Sequence, residues 1–339
     1  MMSKMTVLNG EDIESLLTVP MAIDAVEQAY LEKSRGQAST WPIVCHDFIT
    51  GEADLDIKSG NLDGLGFYGL KVVSWFGANP DKGLPALYGT SLLFDLKTGA
   101  PKALLNAGPI THFRTGAAGA IGAKYLVRPD SKVLTMAGSG ALAPYLIACT
   151  LYLMPQIEQV CLVNPHNAAQ KAASVLPAVT EEVKKLLSDS GKALTAKIEA
   201  SDIETAVKAS DIILTATPAR EPFLRAEWVR PGTHISCVGA DMSGKQEIES
   251  KIFRTAKAFA DDEAQCLSVG ECEIPHKDGS LSAIAAEIGD VIAGTKPGRT
   301  GADEITVFDS TGIALQDIAS AAALLNAAEK SGRGSRIEL

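Results

Sequence analysis

Apolar positions along this chain follow two rhythms, with the change near residue 130. Early on, Ile13, Leu16, Leu17, Ala22, Val26, Ala29 and Tyr30 recur at helical spacing. That predicts one amphipathic helix, or two short ones, over residues 11–35. Strand-like runs follow at Tyr68–Phe76, Ala86–Asp95 and Pro101–Asn106, separated by an Asn79-Pro-Asp-Lys-Gly83 turn and a Leu96-Lys-Thr-Gly99 hairpin connection. These runs predict a mixed, mainly antiparallel sheet, and the Ala/Gly-rich stretch Arg114–Leu126 predicts a helix leading out of it.

From residue 132 the rhythm becomes strand, helix, strand. Short apolar runs at 133–137, 160–164, 211–216, 234–239, 257–261 and 305–309, with a weaker one near 194–198, alternate with helical stretches such as 144–154, 167–188 and 202–209. Ser201-Asp-Ile-Glu204 has the spacing of a capping box. Alternating units with β-branched strands imply a doubly wound parallel sheet. A final helix, Ala314–Lys330, is not needed by that sheet and is expected to return to the first domain. The predicted fold class is therefore α/β: a Rossmann-type doubly wound parallel sheet, residues 121–312, inserted into a smaller α+β domain made of residues 1–120 and 313–339.

Composition narrows the picture. With 339 residues and 46% hydrophobic content there is ample core for two domains. A formal charge of -10 without a clustered Lys/Arg run argues against nucleic acid as a partner. Residues 1–17 contain no apolar core of a secretory signal, and the longest near-continuous apolar segment, Ala141–Met154, is too short to span a membrane. The six cysteines contain no Cys-x-x-Cys, and several fall in predicted core elements, which fits reduced thiols in a cytoplasmic protein. Cys266, Cys272 and His276 match no common zinc spacing, so no metal is expected.

The clearest chemical signal is Gly138-Ser139-Gly140-Ala141-Leu142-Ala143, which lies between an apolar strand and an apolar helix. In that context glycines let a backbone approach a pyrophosphate seated on a helix N-terminus. The end of the second strand, Cys161-Leu-Val-Asn164-Pro-His166, lacks the acid that usually bonds the ribose hydroxyls of NAD. It also lacks an arginine for the 2′-phosphate of NADP. Asn164 can bond either form, and a protonated His166 would favour the phosphate, so the expectation is weak discrimination leaning to NAD.

Three further residues stand out. Lys71 sits in the middle of an apolar strand, either as an edge residue reaching water or as an inward charge kept for a purpose. Arg114 opens the predicted small-residue helix, where a cation is unfavourable to the macrodipole unless an anion meets it. Its fork suits a substrate carboxylate, and a salt bridge at the domain junction is the alternative. Asp241, after the strand at 234–239, is placed either as a general acid/base or as the N-cap of a following helix.

In this order and spacing, Gly69-Leu-Lys71-Val-Val, Gly83-Leu-Pro85, Arg114-Thr-Gly-Ala-Ala, Gly138-Ser-Gly-Ala141, Thr217-Pro218, Val238-Gly-Ala-Asp241 and Gly298-Arg-Thr-Gly through Asp309-Ser-Thr-Gly312 resemble the ornithine cyclodeaminase/μ-crystallin family. The resemblance covers nearly the whole chain. It implies a homodimer paired through the N-terminal domain, and an NAD(P)-dependent reaction at an amino or imino carbon next to a carboxylate. It further implies that Lys71 and Arg114 handle the carboxylate and imine and that Asp241 is the acid/base. Thr115, Gly138, Ser139, Gly140, Ala141, Leu142, Asn164, His166, Thr217, Val238 and Ser310 fall at the implied cofactor contacts.

Two positions depart from the family pattern. Leu142 stands where glutamine is common, and Trp41-Pro-Ile-Val-Cys-His46 lacks the arginine that many members use to clamp the α-carboxylate. Lys58, in Asp56-Ile-Lys-Ser-Gly60, is the candidate replacement, because thirteen residues separate it from Lys71 and an antiparallel arrangement could bring the two together. A solvated surface lysine is the alternative. Read with the resemblance, these features favour a dehydrogenase or imine reductase acting on a small amino or imino acid. A cyclodeaminase that recycles its NAD internally and a non-catalytic nucleotide-binding protein are the other readings.

Overall fold

The structure is a computed structural model that describes residues 4–49, 52–165 and 168–338. It divides into two compact units, Met1–Arg114 with Ile313–Leu339, and Thr115–Gly312.

In the first unit, the early helical pattern forms two helices, Gly10–Leu16 and Val19–Ser34. The break between them is chemical. Asn9 and Asp12 form a reciprocal capping box on the first helix, and Thr18 caps the second by accepting from the Met21 amide, with Pro20 in its opening turn. The sheet, eight-stranded among the described residues, runs in the order Ser335–Glu338, Lys4–Leu8, Pro101–Asn106, Leu87–Asp95, Phe67–Phe76, Ala53–Leu62. Ala38–Thr40 and Val44–Ile49 both pair with Ala53–Leu62. Lys4–Leu8 lies parallel to Pro101–Asn106, and the other pairings are antiparallel. The helix Ala314–Ser331 packs on this sheet and on Val19–Ser34, and Leu315, Ile318, Leu324, Tyr30, Leu62 and Leu93 are buried there. By contrast, Val44–Ile49 is exposed at all six positions, and Phe48 stacks on Phe76 with ring centroids 5.7 Å apart. Its Cys45 is an exposed free thiol, whereas Cys149, Cys161, Cys237, Cys266 and Cys272 are buried.

The second unit holds a sheet, eight-stranded among the described residues, that is parallel throughout. Its order is Lys197–Ala200, Gln159–Val163, Val133–Ala137, Ile212–Thr215, His234–Cys237, Thr306–Asp309, Lys257–Ala260, Ala286–Glu287. Numbered from Val133–Ala137, the first five strands stand as 3-2-1-4-5, the doubly wound arrangement, so the order reverses between Val133–Ala137 and Ile212–Thr215. The Ile203–Ala209 helix starts one residue later than its box pattern predicts. Ser201 still donates its amide to Leu162 in the sheet, so Asp202 becomes the cap and accepts from the Thr205 amide at 2.9 Å. No described helix is long and apolar enough to cross a membrane.

Candidate active site

The first unit brings three basic side chains to one buried place. Lys58 and Lys71 are direct cross-strand partners, and Ser91 faces Lys71 from the other side. Lys71 is therefore central in the sheet and not at an edge, and Lys58, 4% exposed, is not a solvated surface lysine. Ser59 and Gly60, which follow Lys58, are extended within the same strand, Ala53–Leu62. Asp317, in the first turn of the Ala314–Ser331 helix, meets the Lys71 Nζ at 3.0 and 2.9 Å and the Arg114 Nε at 3.4 Å. Arg114 Nη1 donates to Gln316 Oε1 at 3.1 Å, and Gln316 Nε2 donates to the Tyr30 hydroxyl at 2.8 Å. Burial first, and Arg114 second, pull the Lys71 ammonium down to about 8; Lys58 adds to this while Asp317 opposes it. Burial on its own would raise the Asp317 carboxyl, but Lys71 and Arg114 outweigh it and hold the group below its ordinary range. Among the described residues buried Ser91 Oγ has no hydrogen-bond partner, and Arg114 Nε makes no hydrogen bond beyond its ion pair with Asp317.

Arg114 does not open its helix. The helix is Ala107–Leu126, with Pro109 in its first turn where a missing amide hydrogen is tolerated, so Arg114 lies about two turns in and its anion is Asp317. Asp317, Gln316, Tyr30 and Ser91 were not marked by the sequence. An acid in the first turn of an otherwise apolar helix was the one available signal for Asp317.

The second unit collects its candidates along one edge of the parallel sheet. Gly138, Asn164, Thr217, Val238 and Ser310 each follow the carboxyl end of a strand, the edge at which such sheets bind ligands. Gly138 has φ +123°, and a Cβ there would lie 2.5 Å from the Ala216 carbonyl oxygen, so only glycine fits. A Cβ on Gly140 would meet nothing within 4 Å. Behind this turn Leu142 starts the Ala143–Leu153 helix with no side-chain cap, no acid in its first turn, and a proline early in it. This arrangement leaves room for a pyrophosphate at an uncapped helix N-terminus. Ser139 Oγ accepts from Asn164 Nδ2 at 2.9 Å, which ties the first strand's turn to the end of the second. His166 lies outside the described residues. Thr115 is buried. Ser310 Oγ donates to Asp261 Oδ2 at 2.9 Å, and Thr217 donates its amide and hydroxyl to Glu247 Oε1 at 2.7 and 2.8 Å.

Asp241 lies four residues beyond the His234–Cys237 strand, and no helix begins at it, so it is not an N-cap. Its carboxylate, 42% exposed, accepts from Lys245 Nζ at 2.6 Å. Behind this edge are carboxyl groups the sequence did not mark. Burial pushes Glu247 and Asp309 up to about 7, and burial with the charge of Glu247 pushes Glu271 well above its ordinary value. Among the described residues no group of three or more His, Cys, Asp or Glu could hold a metal ion.

A family model described as "Ornithine cyclodeaminase/mu-crystallin family" matches residues 3–332. The chain belongs to that family. Within it, the chain is 36% identical over 334 residues to the alanine dehydrogenase of Archaeoglobus fulgidus, covering 98% of each protein. A solved dimer of an archaeal alanine dehydrogenase with bound NAD superposes with a TM-score of 0.86 at 36% identity, covering 99% of each chain. The iminosuccinate reductase of Paracoccus denitrificans in complex with NAD+ superposes with a TM-score of 0.87 at 30% identity, covering 99% of this chain and all of the other.

Proposed function

We propose that this member of the ornithine cyclodeaminase/mu-crystallin family is an NAD(P)-dependent oxidoreductase acting on the carbon–nitrogen bond of a small amino or imino acid. The observation that carries the reading is the buried cluster of Lys58, Lys71 and Arg114 organised by Asp317, in a chain whose other unit has a glycine turn fit for a dinucleotide. Residues 1–120 with 313–339 form the substrate and dimerisation domain in this reading, and 121–312 the dinucleotide domain. Gly138 to Leu142, with the start of the Ala143–Leu153 helix, would hold the pyrophosphate, and Thr115, Asn164, Thr217 and Val238 would flank the rest, with Ser310 able to accept a hydrogen bond. When bound, the nicotinamide supplies the hydride acceptor or donor.

Lys71 and Arg114 hold the substrate carboxylate, and Ser91 Oγ then gains the hydrogen-bond partner it lacks among the described residues. Lys58 adds a third cation in place of the missing first-strand arginine. Asp241, close to solvent and already hydrogen-bonded to Lys245, exchanges the proton of the substrate nitrogen. Without an acid at position 164, NAD is favoured only weakly over NADP. The exposed apolar residues of Val44–Ile49 support a homodimer, and the buried free cysteines support a cytoplasmic setting.

The test is a panel of 2-oxo acids with ammonia or methylamine, plus NADH or NADPH, run beside ornithine and lysine. The reading expects cofactor oxidation with a small 2-oxo acid. Ammonia release from ornithine with no net change in NADH would overturn it in favour of a cyclodeaminase.

A further inference from the structure

The Glu247 carboxylate sits beneath the sheet edge and takes four hydrogen bonds. Thr217 donates its amide and hydroxyl to Oε1, while the Thr215 hydroxyl donates to Oε2 at 2.5 Å and the Gly239 amide at 3.1 Å. One side chain thus fixes the chain just past two neighbouring strands, at Thr217 and at Val238-Gly239. Room for it depends on Gly239, where a Cβ would lie 2.6 Å from the Glu247 carboxyl carbon. Glu247 itself cannot shift easily. Its carbonyl accepts from the amides of Phe223 and Leu224, and the Glu271 carboxyl accepts from the amides of Glu247 and Ile248. A buried carboxyl is costly, and hydrophobic packing would serve a purely structural role in this core with less penalty.

We infer that Glu247 is a positioning residue for the dinucleotide, holding the Thr217 and Val238 loops in the conformation that receives it. The inference rests on the proposed function, since it needs those loops to contact the cofactor. Glu247 touches neither substrate nor cofactor and acts through the backbone amides it holds.

The experiment is fluorescence titration of NADH into wild type, Glu247→Gln and Thr215→Val, at a temperature where circular dichroism shows each fully folded. Gln keeps the volume but turns one acceptor into a donor facing amide hydrogens. The Kd for NADH, and its KM, should rise about tenfold to a hundredfold, with kcat at saturating NADH changed much less. Thr215→Val removes one of the four donors and should shift Kd the same way by a smaller factor. A folded Glu247→Gln with wild-type Kd, whatever its Tm, would make the residue purely structural. If that variant does not fold, Thr215→Val decides alone, and an unchanged Kd overturns the inference. Failure of the wild type to bind NADH or NADPH would instead remove the proposed function itself.

Discussion

The two units bury carboxyl groups in opposite ways. In the first, Asp317 is almost completely enclosed but lies against two cations, which hold it below its ordinary range despite burial. In the second, Glu247 and Asp309 are as deeply buried but meet mainly amides and hydroxyls, and burial raises both to about 7. The residue type does not decide protonation in either place; the neighbours do. In the first unit the acid is a fixed negative charge that keeps two cations in place. In the second the acids accept from backbone amides, and their protonation midpoints lie near pH 7. Asp241 is a third kind, 42% exposed and paired with Lys245, and it is the acid to which the proposed function gives the proton exchange.

The contrast can be broken most forcefully at Asp241. Asp241→Asn should keep cofactor affinity and lower turnover by on the order of 10²–10⁴. Near-normal turnover with the true substrate would remove the acid/base role. Next comes Asp317→Asn, which leaves Lys71 and Arg114 buried without their shared anion. Loss of a buried partner of this kind costs about 3–5 kcal/mol, readable as a fall in the urea midpoint. A stability change below about 1 kcal/mol would mean the cations do not depend on Asp317. Lys58→Ala should be milder and functional, raising KM for the carboxylate substrate with less effect on kcat, at a cost of about 1.5–3 kcal/mol. An unchanged KM would leave the missing arginine without a replacement.

Asp309 sharpens the comparison through pH. Its carboxyl is raised from 3.8 to about 7 on folding, so between those values the folded chain binds more protons than the unfolded one. Its contribution to stability is present below pH 4 and is lost as pH rises through 7. Asp309→Asn should flatten the decline in urea midpoint across pH 4–7, by at most about 1.4 kcal/mol per pH unit. Equal slopes in the two proteins would show that Asp309 is ionised in the fold, as Asp317 is.

Much of the second unit's fold was legible in the sequence because its strands and helices alternate over short, local stretches. Gly138 and Asn164 were marked by the strand ends they follow, whereas Thr217, Val238 and Ser310 were named only through the family resemblance, and each follows the end of a strand. Strand ends shifted by a residue or so where sheet pairing won, as when Ser201 stayed with Leu162 and left the capping to Asp202. The first unit was legible only in part. Lys71 and Arg114 were conspicuous as charges in apolar surroundings, but their partner Asp317 is 246 residues from Lys71, and no local pattern records that pairing. Lys58 and Lys71 as neighbours followed from hairpin geometry, whereas Ser91 opposite them required the register of a third strand. Glu247 escaped notice because a lone acid in a loop usually reads as solvent-facing, and its four donors come from strand ends 8 to 32 residues away.

The exposed thiol of Cys45 gives the Val44–Ile49 strand a practical use. Partial burial and the nearby Asp56 raise its pKa, so it reacts slowly at neutral pH and faster in mild alkali, while the other five cysteines are buried and stay protected. Alkylation at about pH 9 would therefore attach a single dye to the native chain without mutagenesis. In the homodimer proposed above, mixing donor- and acceptor-labelled samples would then make subunit exchange measurable in real time.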